Sequence, residues 1–153
     1  MGIYPRQDYP IRICLVDNSQ LEGLVNIVGR DITTFLQDTE TDIVMYDTVN
    51  GEDDNRRPMI VRKSQVLWVE IKGNEADGRE PVNLKPMKMK LANGQVVTGN
   101  IDITGYDRIS DYFQKNSDRY AEVFGALVDG EKSFPSLFVS VTQYIWVIPD
   151  DQN

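Results

Sequence analysis

A short stretch in the second half of the chain brings together side chains of both charges, a hydroxyl and an aromatic ring. These residues are Asp107, Arg108, Ser110, Asp111 and Tyr112. An arginine beside an aromatic ring suits a stacked, anionic ligand, so one interpretation makes Arg108, Asp111 and Tyr112 ligand or partner contacts on one lip of a groove. The other interpretation is structural: Arg108 pairs with a neighbouring Asp, and Asp107 or Ser110 caps a short helical turn.

The composition argues against catalysis. The chain has no His and a single Cys, Cys14, so it lacks the usual pairs of nucleophile and base and the usual zinc ligands. The stretch 51–55 offers three neighbouring carboxylates, which we interpret as a solvated loop, with loose cation binding as the alternative. We predict that the protein is not an enzyme and needs no metal or other cofactor.

Net charge and hydropathy restrict the partners and the location. The formal net charge is -8, which disfavours attraction to phosphate backbones and anionic membranes. Nucleic acid is therefore not expected as a partner. The apolar runs fall short of the roughly 20 residues that a membrane helix needs, and the N-terminus has no apolar signal core. We expect a cytoplasmic protein without a membrane segment.

The chain contains an internal duplication. The segment 10–29 aligns without a gap with 86–105, and after a two-residue insertion Trp68 falls on Trp146. A stretch rich in Gly, charge and Pro separates the two copies, which is typical of a linker. The predicted boundaries are a first repeat over 1–75, a linker over 76–84 and a second repeat over 85–153.

The alignment also places Arg30 on Arg108 and Phe35 on Phe113. Arg30 is therefore a further candidate contact for a ligand or partner. The same correspondence favours the structural interpretation of the Arg108 stretch, because duplicated segments usually keep the residues that stabilise the fold and lose those that bind a ligand. The sequence leaves both interpretations open.

Each repeat begins with the alternation of a half-buried strand. In the first repeat Ile11, Ile13 and Leu15 alternate with other residues, and the second repeat shows the same pattern. Gly23 and Gly99 interrupt the strands that follow, where Gly is typical of a bulge or a sharp bend. Such a bend is what a small barrel requires.

The remaining segments complete the predicted fold. Third strands are expected at 43–49 and 120–128, each preceded by one or two helical turns, and a 3₁₀-like turn without Gly should join the fourth and fifth strands. The fold class is mainly all-β: two tandem five-stranded SH3-like or Sm-like small barrels, each with a short helical turn between its second and third strands.

Two resemblances add to this prediction. The stretch LANGQVVTG at 91–99 resembles the first motif of Sm-like proteins, and 15–23 is a weaker version. RNA-binding Sm-like proteins also carry Arg-Gly before the last strand, where this chain has Arg62-Lys63 and Ser140-Val141, so the resemblance does not imply RNA binding. The region 86–150 resembles an uncharacterised bacterial family of small barrel domains, which implies the fold and a bacterial origin and no activity.

The last strand of each repeat is apolar on both faces. Strand alternation predicts that Trp68 shares a side with Val66, and Trp146 with Tyr144. A second apolar face should be covered. These four residues are therefore expected at an interface between the repeats, between copies of the chain, or with a partner or ligand.

Two functions of different classes fit these patterns. The first is a noncatalytic protein-interaction or assembly module that binds a protein partner or a second copy. The alternative is a sensor that holds a small anionic or nucleotide-like ligand between the barrels, with Arg30, Arg108, Tyr112 and Trp146 as contacts. RNA binding of the Sm-like kind is a third function, which the acidic charge disfavours.

Overall fold

The structure is a computed structural model, and it describes five stretches of the chain. They are residues 6–28, 32–38, 42–49, 58–72 and 80–150, with the backbone alone described for 6, 7, 28 and 47–49. The chain divides into two compact units, Met1–Gly78 and Arg79–Asn153. Three features of the sequence lie outside the described residues: the acidic stretch 51–55, the pair Arg30 and Asp31, and residues 76–79 of the predicted linker.

The described residues of the first unit form an antiparallel sheet of five strands with one short helix. The elements are β1 (Arg6–Leu15), β2 (Gln20–Val28), α1 (Ile32–Gln37), β3 (Ile43–Val49), β4 (Met59–Val61), a 3₁₀ turn (Lys63–Gln65) and β5 (Val66–Ile71). The hydrogen-bonded order is β5-β1-β2-β3-β4. The last strand thus returns to pair with the first, and the predicted 3₁₀ turn joins the last two strands.

The second unit repeats this arrangement. Its described elements are β6 (Leu84–Leu91), β7 (Val96–Asp102), α2 (Ile109–Lys115), β8 (Tyr120–Val128), β9 (Lys132–Ser140) and β10 (Tyr144–Pro149). The order is β10-β6-β7-β8-β9, again antiparallel throughout. The mainly β class is confirmed, and in each unit a short helix follows the second strand, as predicted. Within the described stretches no helix has the length and apolar character needed to cross a membrane.

The ladders leave the sheet open, where the sequence predicted closed barrels. Among the described residues, β4 does not pair with β5, and β9 does not pair with β10. In each unit the fourth and fifth strands follow one another through a short turn, and β5 and β10 pair with the first strand of their own unit. Closure into a barrel is therefore not seen in the hydrogen-bond pattern.

Alternation in the first strand of each unit builds the core. Ile11 and Ile13 are buried while Arg12 between them is half-buried, and Met87 and Met89 are buried while Lys88 is exposed. Burying one such aliphatic side chain contributes about 1.5–3 kcal/mol. The predicted half-buried strands are confirmed, and the face of β6 that carries Lys88 and Lys90 points away from the core.

Both predicted interruptions of the second strand lie opposite a bulge, and the extra residue belongs to the third strand, β3 or β8. The pairing of β2 with β3 shifts register between Glu22 and Leu24, on either side of Gly23. The pairing of β7 with β8 shifts in the same way on either side of Gly99. A Cβ added to Gly99 would lie 2.6 Å from Cγ1 of Val123 and 3.1 Å from the carbonyl oxygen of Phe124, so any larger residue would force β8 to shift.

The helices correct the sequence alignment by one position. Ile32 and Phe35 are buried in α1, and Ile109 and Tyr112 are buried with the same spacing in α2. The alignment had instead placed Phe35 on Phe113. The two-residue insertion is therefore better divided, with one residue before the helix and one after it.

This shift removes the predicted correspondence between Arg30 and Arg108. Counting back from Ile32 and Ile109, Arg108 corresponds to Asp31 in sequence, and Arg30 corresponds to Asp107. The alignment that made Arg30 equivalent to Arg108 had placed both inserted residues before the helix. The spacing of the buried residues, rather than the identity of the charged residues, gives the alignment of the two helices.

Candidate functional site

The Arg108 stretch forms the start of α2 and is held by an ion pair. Nε of Arg108 lies 3.4 Å from Oδ2 of Asp111, one helical turn away. The Arg108 side chain is 77% exposed, so water screens this pair and it contributes little to stability. The N-cap residue is Arg108, which makes no capping hydrogen bond through its side chain. The pairing of Arg108 with an Asp is confirmed, and the prediction that Asp107 or Ser110 occupies the cap is wrong.

Tyr112 is part of the core. Its side chain is buried, and its ring makes edge-to-face contacts with Tyr106 at 5.7 Å and Phe113 at 5.1 Å between ring centroids. Burial raises the pKa of the Tyr112 hydroxyl well above its usual value, and the nearby carboxylate of Asp118 raises it further. Tyr112 therefore stays neutral at physiological pH and presents no ring face to a ligand beside Arg108.

Four aromatic rings form a continuous row that connects α2 to β10. Beyond Phe113 the row continues to Tyr144, whose ring centroid lies 5.5 Å from that of Phe113. Such contacts contribute about 0.5–1.5 kcal/mol each beyond the area that they bury. The structure therefore brings Tyr112 and Tyr144 into one cluster, although the sequence assigned them to different sites.

A bulge in β10 separates the two aromatic residues that alternation had placed on one face. Tyr144 lies opposite Leu91, whereas Trp146 lies opposite Lys90, so β10 has one extra residue at this point. Directly opposite residues in an antiparallel pair share a face, and Leu91 and Lys90 point to opposite faces. Tyr144 therefore belongs to the core face, and Trp146 lies on the other face with the lysines.

The same bulge occurs in the last strand of the first unit. Val66 lies opposite Leu15, and Trp68 lies opposite Cys14. The prediction that each Trp shares a face with the apolar residue two positions earlier is therefore wrong in both units. A one-residue shift of register moves a side chain to the other face of a sheet, and the parity argument did not allow for a bulge.

The two equivalent faces differ in chemistry. In the first unit Trp68 is 1% exposed and Cys14 is fully buried. Beside them Arg12 approaches Glu22 at 3.1 Å and Glu70 at 3.8 Å. Every charged residue of this small network faces an opposite charge, which suits a structural role.

In the second unit the corresponding positions carry Lys90, Trp146, Lys88 and Ile148, and we call this set the lysine–tryptophan face. Trp146 is 37% exposed and Ile148 is 46% exposed. Among the described residues, neither lysine takes part in an ion pair. An apolar surface with two cations is thus presented to solvent where the first unit buries its Trp and pairs Arg12 with carboxylates.

The lysine–tryptophan face borders an edge strand. Among the described strands, β10 pairs with β6 alone. The N–H of Asp150 donates to the carbonyl oxygen of Pro86 at 3.0 Å, so alternation directs the backbone groups of Val147 and Pro149 away from β6. Ile145 is 58% exposed. The edge of β10 therefore offers hydrogen-bonding groups and apolar side chains together, and it is the candidate functional site.

Sequence reasoning found part of this site and missed part of it. It singled out Trp146, but it did not include Lys88, Lys90 or Ile148. The signal was present, because the alternation in β6 already assigned both lysines to the face away from the core. What the pattern did not contain was the bulge that brings Trp146 to that face.

Comparisons with known proteins give no relative. No protein-family model matches the chain, and neither the curated proteins nor the solved structures contain a significant match. Of the candidate contacts, Arg30 lies outside the described residues. The site is therefore defined by its geometry alone: an edge strand with exposed apolar residues beside two lysines.

Proposed function

We propose that the protein is a noncatalytic protein-interaction or assembly module built from two small five-stranded barrels of the SH3-like or Sm-like kind. Support for the barrels comes from the register shifts at Gly23 and Gly99, where the third strand bulges and a sharp bend of the pair is favoured. Further support is the short turn that leads directly from the fourth strand to the fifth, around what would be the barrel corner. The resemblance to an uncharacterised bacterial barrel family belongs to the same proposal.

The observation that carries the interaction role is the open edge of β10. Proteins usually protect such edges, because unpaired backbone groups recruit another strand. Here Ile145, Trp146 and Ile148 are all exposed along the edge strand. Adding an extended segment of a partner would pair the backbone groups of Val147 and cover these side chains, which is a known mode of peptide recognition.

The alternative ligand sensor is less well supported. Of its two aromatic contacts, Tyr112 is buried within the aromatic row, and Trp146 lies on β10, on the lysine–tryptophan face and away from that row. Arg108 is left as an exposed cation already paired with Asp111. We therefore place the interaction at β10. The cytoplasm is the proposed location, since a chain with a single buried Cys has no need of an oxidising compartment.

The test uses the full chain and a displayed library of random decapeptides. We expect enriched peptides to bind wild type and to slow hydrogen exchange at the Val147 amide, followed by NMR. The reason is that this N–H points away from β6 and gains a partner only if a strand is added. The Val147→Pro variant removes the donor and should lose binding.

The matched control is Val147→Ala. Like Val147→Pro it removes the valine side chain, but it keeps the backbone N–H. Exchange of amides in β6 checks that both variants keep the sheet. Peptides that bind the Pro and Ala variants equally well, or a library from which no binder protects Val147, would contradict strand addition at this edge.

A further inference from the structure

The lysine–tryptophan face is a local exception in an acidic chain. The net charge is -8, yet the exposed face beside β10 carries Lys88 and Lys90. Opposite Lys88 on β7 stands Thr98, and opposite Thr98 on β8 stands the exposed Leu127. Both neighbours across the sheet are uncharged, so the two lysines face no compensating carboxylate along this row.

The carboxylate that lies across the sheet from Lys90, beyond Val96, already accepts a hydrogen bond from the backbone. Lys90 lies opposite Val96, and the N–H of Val96 donates to Oδ1 of Asp129 at 2.8 Å. The carboxylate of Asp129 thus accepts a hydrogen bond from the backbone at the start of β7. An anionic group supplied from outside would therefore meet two cations next to exposed apolar surface.

Resting on the strand addition proposed above, we infer that the segment added to β10 alternates acidic and apolar residues, with its acidic side chains on the lysine–tryptophan face. Successive residues of a strand point to opposite faces, and neighbouring strands lie about 4.8 Å apart. The lysines lie one strand beyond β10. A long carboxylate side chain, Glu in particular, reaches across Trp146 toward them.

A second copy of the chain is a poorer occupant of this edge. β10 contains no charged residue between Tyr144 and Pro149, so pairing β10 with its own copy would place no carboxylate of the strand itself beside the lysines. Two copies would also bring together two chains that each carry a net charge of -8, which opposes association. A short acidic segment adds far less repulsion and supplies the missing charges.

The experiment uses three synthetic decapeptides that share alternate Val and Thr positions and differ only at the remaining positions, which are Glu, Gln or Lys. Binding to the full chain is measured by fluorescence anisotropy at low and high salt, with exchange of the Val147 amide as the readout of location. We expect the Glu peptide to bind at least about fivefold more tightly than the Gln peptide, since each exposed ion pair adds a modest gain. The Lys peptide should bind weakest, and salt should reduce the differences.

Charge reversal supplies the matched variant. Lys88→Glu combined with Lys90→Glu should reverse the order, so that the Lys peptide binds best, while the core face of β6 is unchanged. Reversal together with protection of Val147 supports the inference.

Three other results would overturn the inference, and each has a different meaning. Equal binding of all three peptides, with Val147 protected and no effect of charge reversal, leaves strand addition intact and rejects the acidic preference. Failure of every peptide to protect Val147 rejects both proposals. A wild-type dimer in light scattering that protects Val147 without peptide and is lost in Val147→Pro identifies a second copy as the occupant.

Discussion

At the scale of single residues, the duplication supplies an internal comparison, because Trp68 and Trp146 occupy equivalent positions in strands of the same length. Trp68 is 1% exposed and Trp146 is 37% exposed. Replacing a buried Trp by Ala removes a large apolar surface and leaves a cavity. The same substitution at a half-exposed site removes much less buried surface.

We therefore predict that Trp68→Ala lowers the free energy of unfolding by about 3–5 kcal/mol, and Trp146→Ala by about 1 kcal/mol or less. Urea unfolding of the two variants, followed by circular dichroism, measures both values. Equal losses would mean that the environment of one Trp in solution differs from the one described.

The hydrogen bonds of Asp102 lead us to expect that the free energy of unfolding depends on pH. Burial raises its pKa, but hydrogen bonds from the hydroxyl and N–H of Thr104 and from the N–H groups of Val82 and Asn83 outweigh this and hold the pKa below its usual 3.8. A depressed pKa in the folded state means that the ionised group contributes stability above the unfolded value. That contribution is lost as the pH falls through the folded pKa.

The expected result is that wild type loses more stability than Asp102→Asn as the pH falls from about 5 to about 3. Thermal unfolding across this range checks it. Parallel losses in the two proteins would show that other carboxylates account for the acid sensitivity.

At the scale of the strands and helices, the close approach of Gly99 in β7 to the bulge in β8 predicts a specific cost. A Cβ on Gly99 would meet Cγ1 of Val123 at 2.6 Å, the carbonyl oxygen of Phe124 at 3.1 Å and Cα of Ala126 at 3.2 Å. We expect Gly99→Ala to lower the free energy of unfolding by about 1–3 kcal/mol, the usual range for overpacking. Denaturant unfolding measures this loss.

The double variant with Val123→Ala separates the two causes of that cost. Val123→Ala removes both Cγ atoms, including the one that the new Cβ would meet, while the backbone contacts remain. Gly99→Ala should therefore cost less in the Val123→Ala protein than in wild type, but should still cost some stability. Full additivity of the two single effects would show that the side chain of Val123 already moves aside.

A lysine joins the 3₁₀ turn to the end of α1. Nζ of Lys63 donates to the carbonyl oxygens of Phe35 and Asp38, both at 2.6 Å, and lies 4.3 Å from the ring centroid of Phe35. Lys63→Met keeps the apolar stem and removes the charge. We predict a loss of about 1.5–3 kcal/mol, the range for hydrogen bonds to charged groups, measured by urea unfolding against wild type.

The strands show what alternation can and cannot predict. β3 and β8 have the bounds that the sequence predicted, and the bends fall at Gly23 and Gly99, because apolar alternation and Gly both have direct structural causes. The bulge in β10 occurs among Tyr, Ile and Trp, residues that suit a regular strand equally well. Nothing in the local pattern marks it, and it places Tyr144 on the face opposite to Trp146.

A second factor limited how much of the candidate site could be predicted from the sequence. Trp68 and Trp146 are identical residues in similar apolar runs, and their exposure differs because of what surrounds each strand. That difference depends on neighbours that are distant in sequence. Trp68 lies opposite Cys14, whereas Trp146 lies opposite Lys90. Sequence alone could therefore name Trp146 and could not say that it faces solvent.

At the scale of the whole molecule, the proposals predict the solution mass. If β10 binds a partner rather than a second copy, light scattering should give about the chain mass of 17.5 kDa, with little change on adding salt. The variant Trp146→Glu should stay folded at the same mass, because the indole is partly exposed and lies beside two lysines. A wild-type mass of twice this value that falls to one chain in Trp146→Glu would contradict the partner model.

Pro149 gives the β10 edge a further property, its resistance to fibril growth. Stacked strands in amyloid need a donor and an acceptor at every second residue along both edges, and Pro149 ends the outward row of β10 without an N–H. An added strand can therefore form only a short ladder. A fibril that grew from β10 would lack this hydrogen bond in every layer, so we expect the edge to resist seeding even though its apolar side chains are exposed.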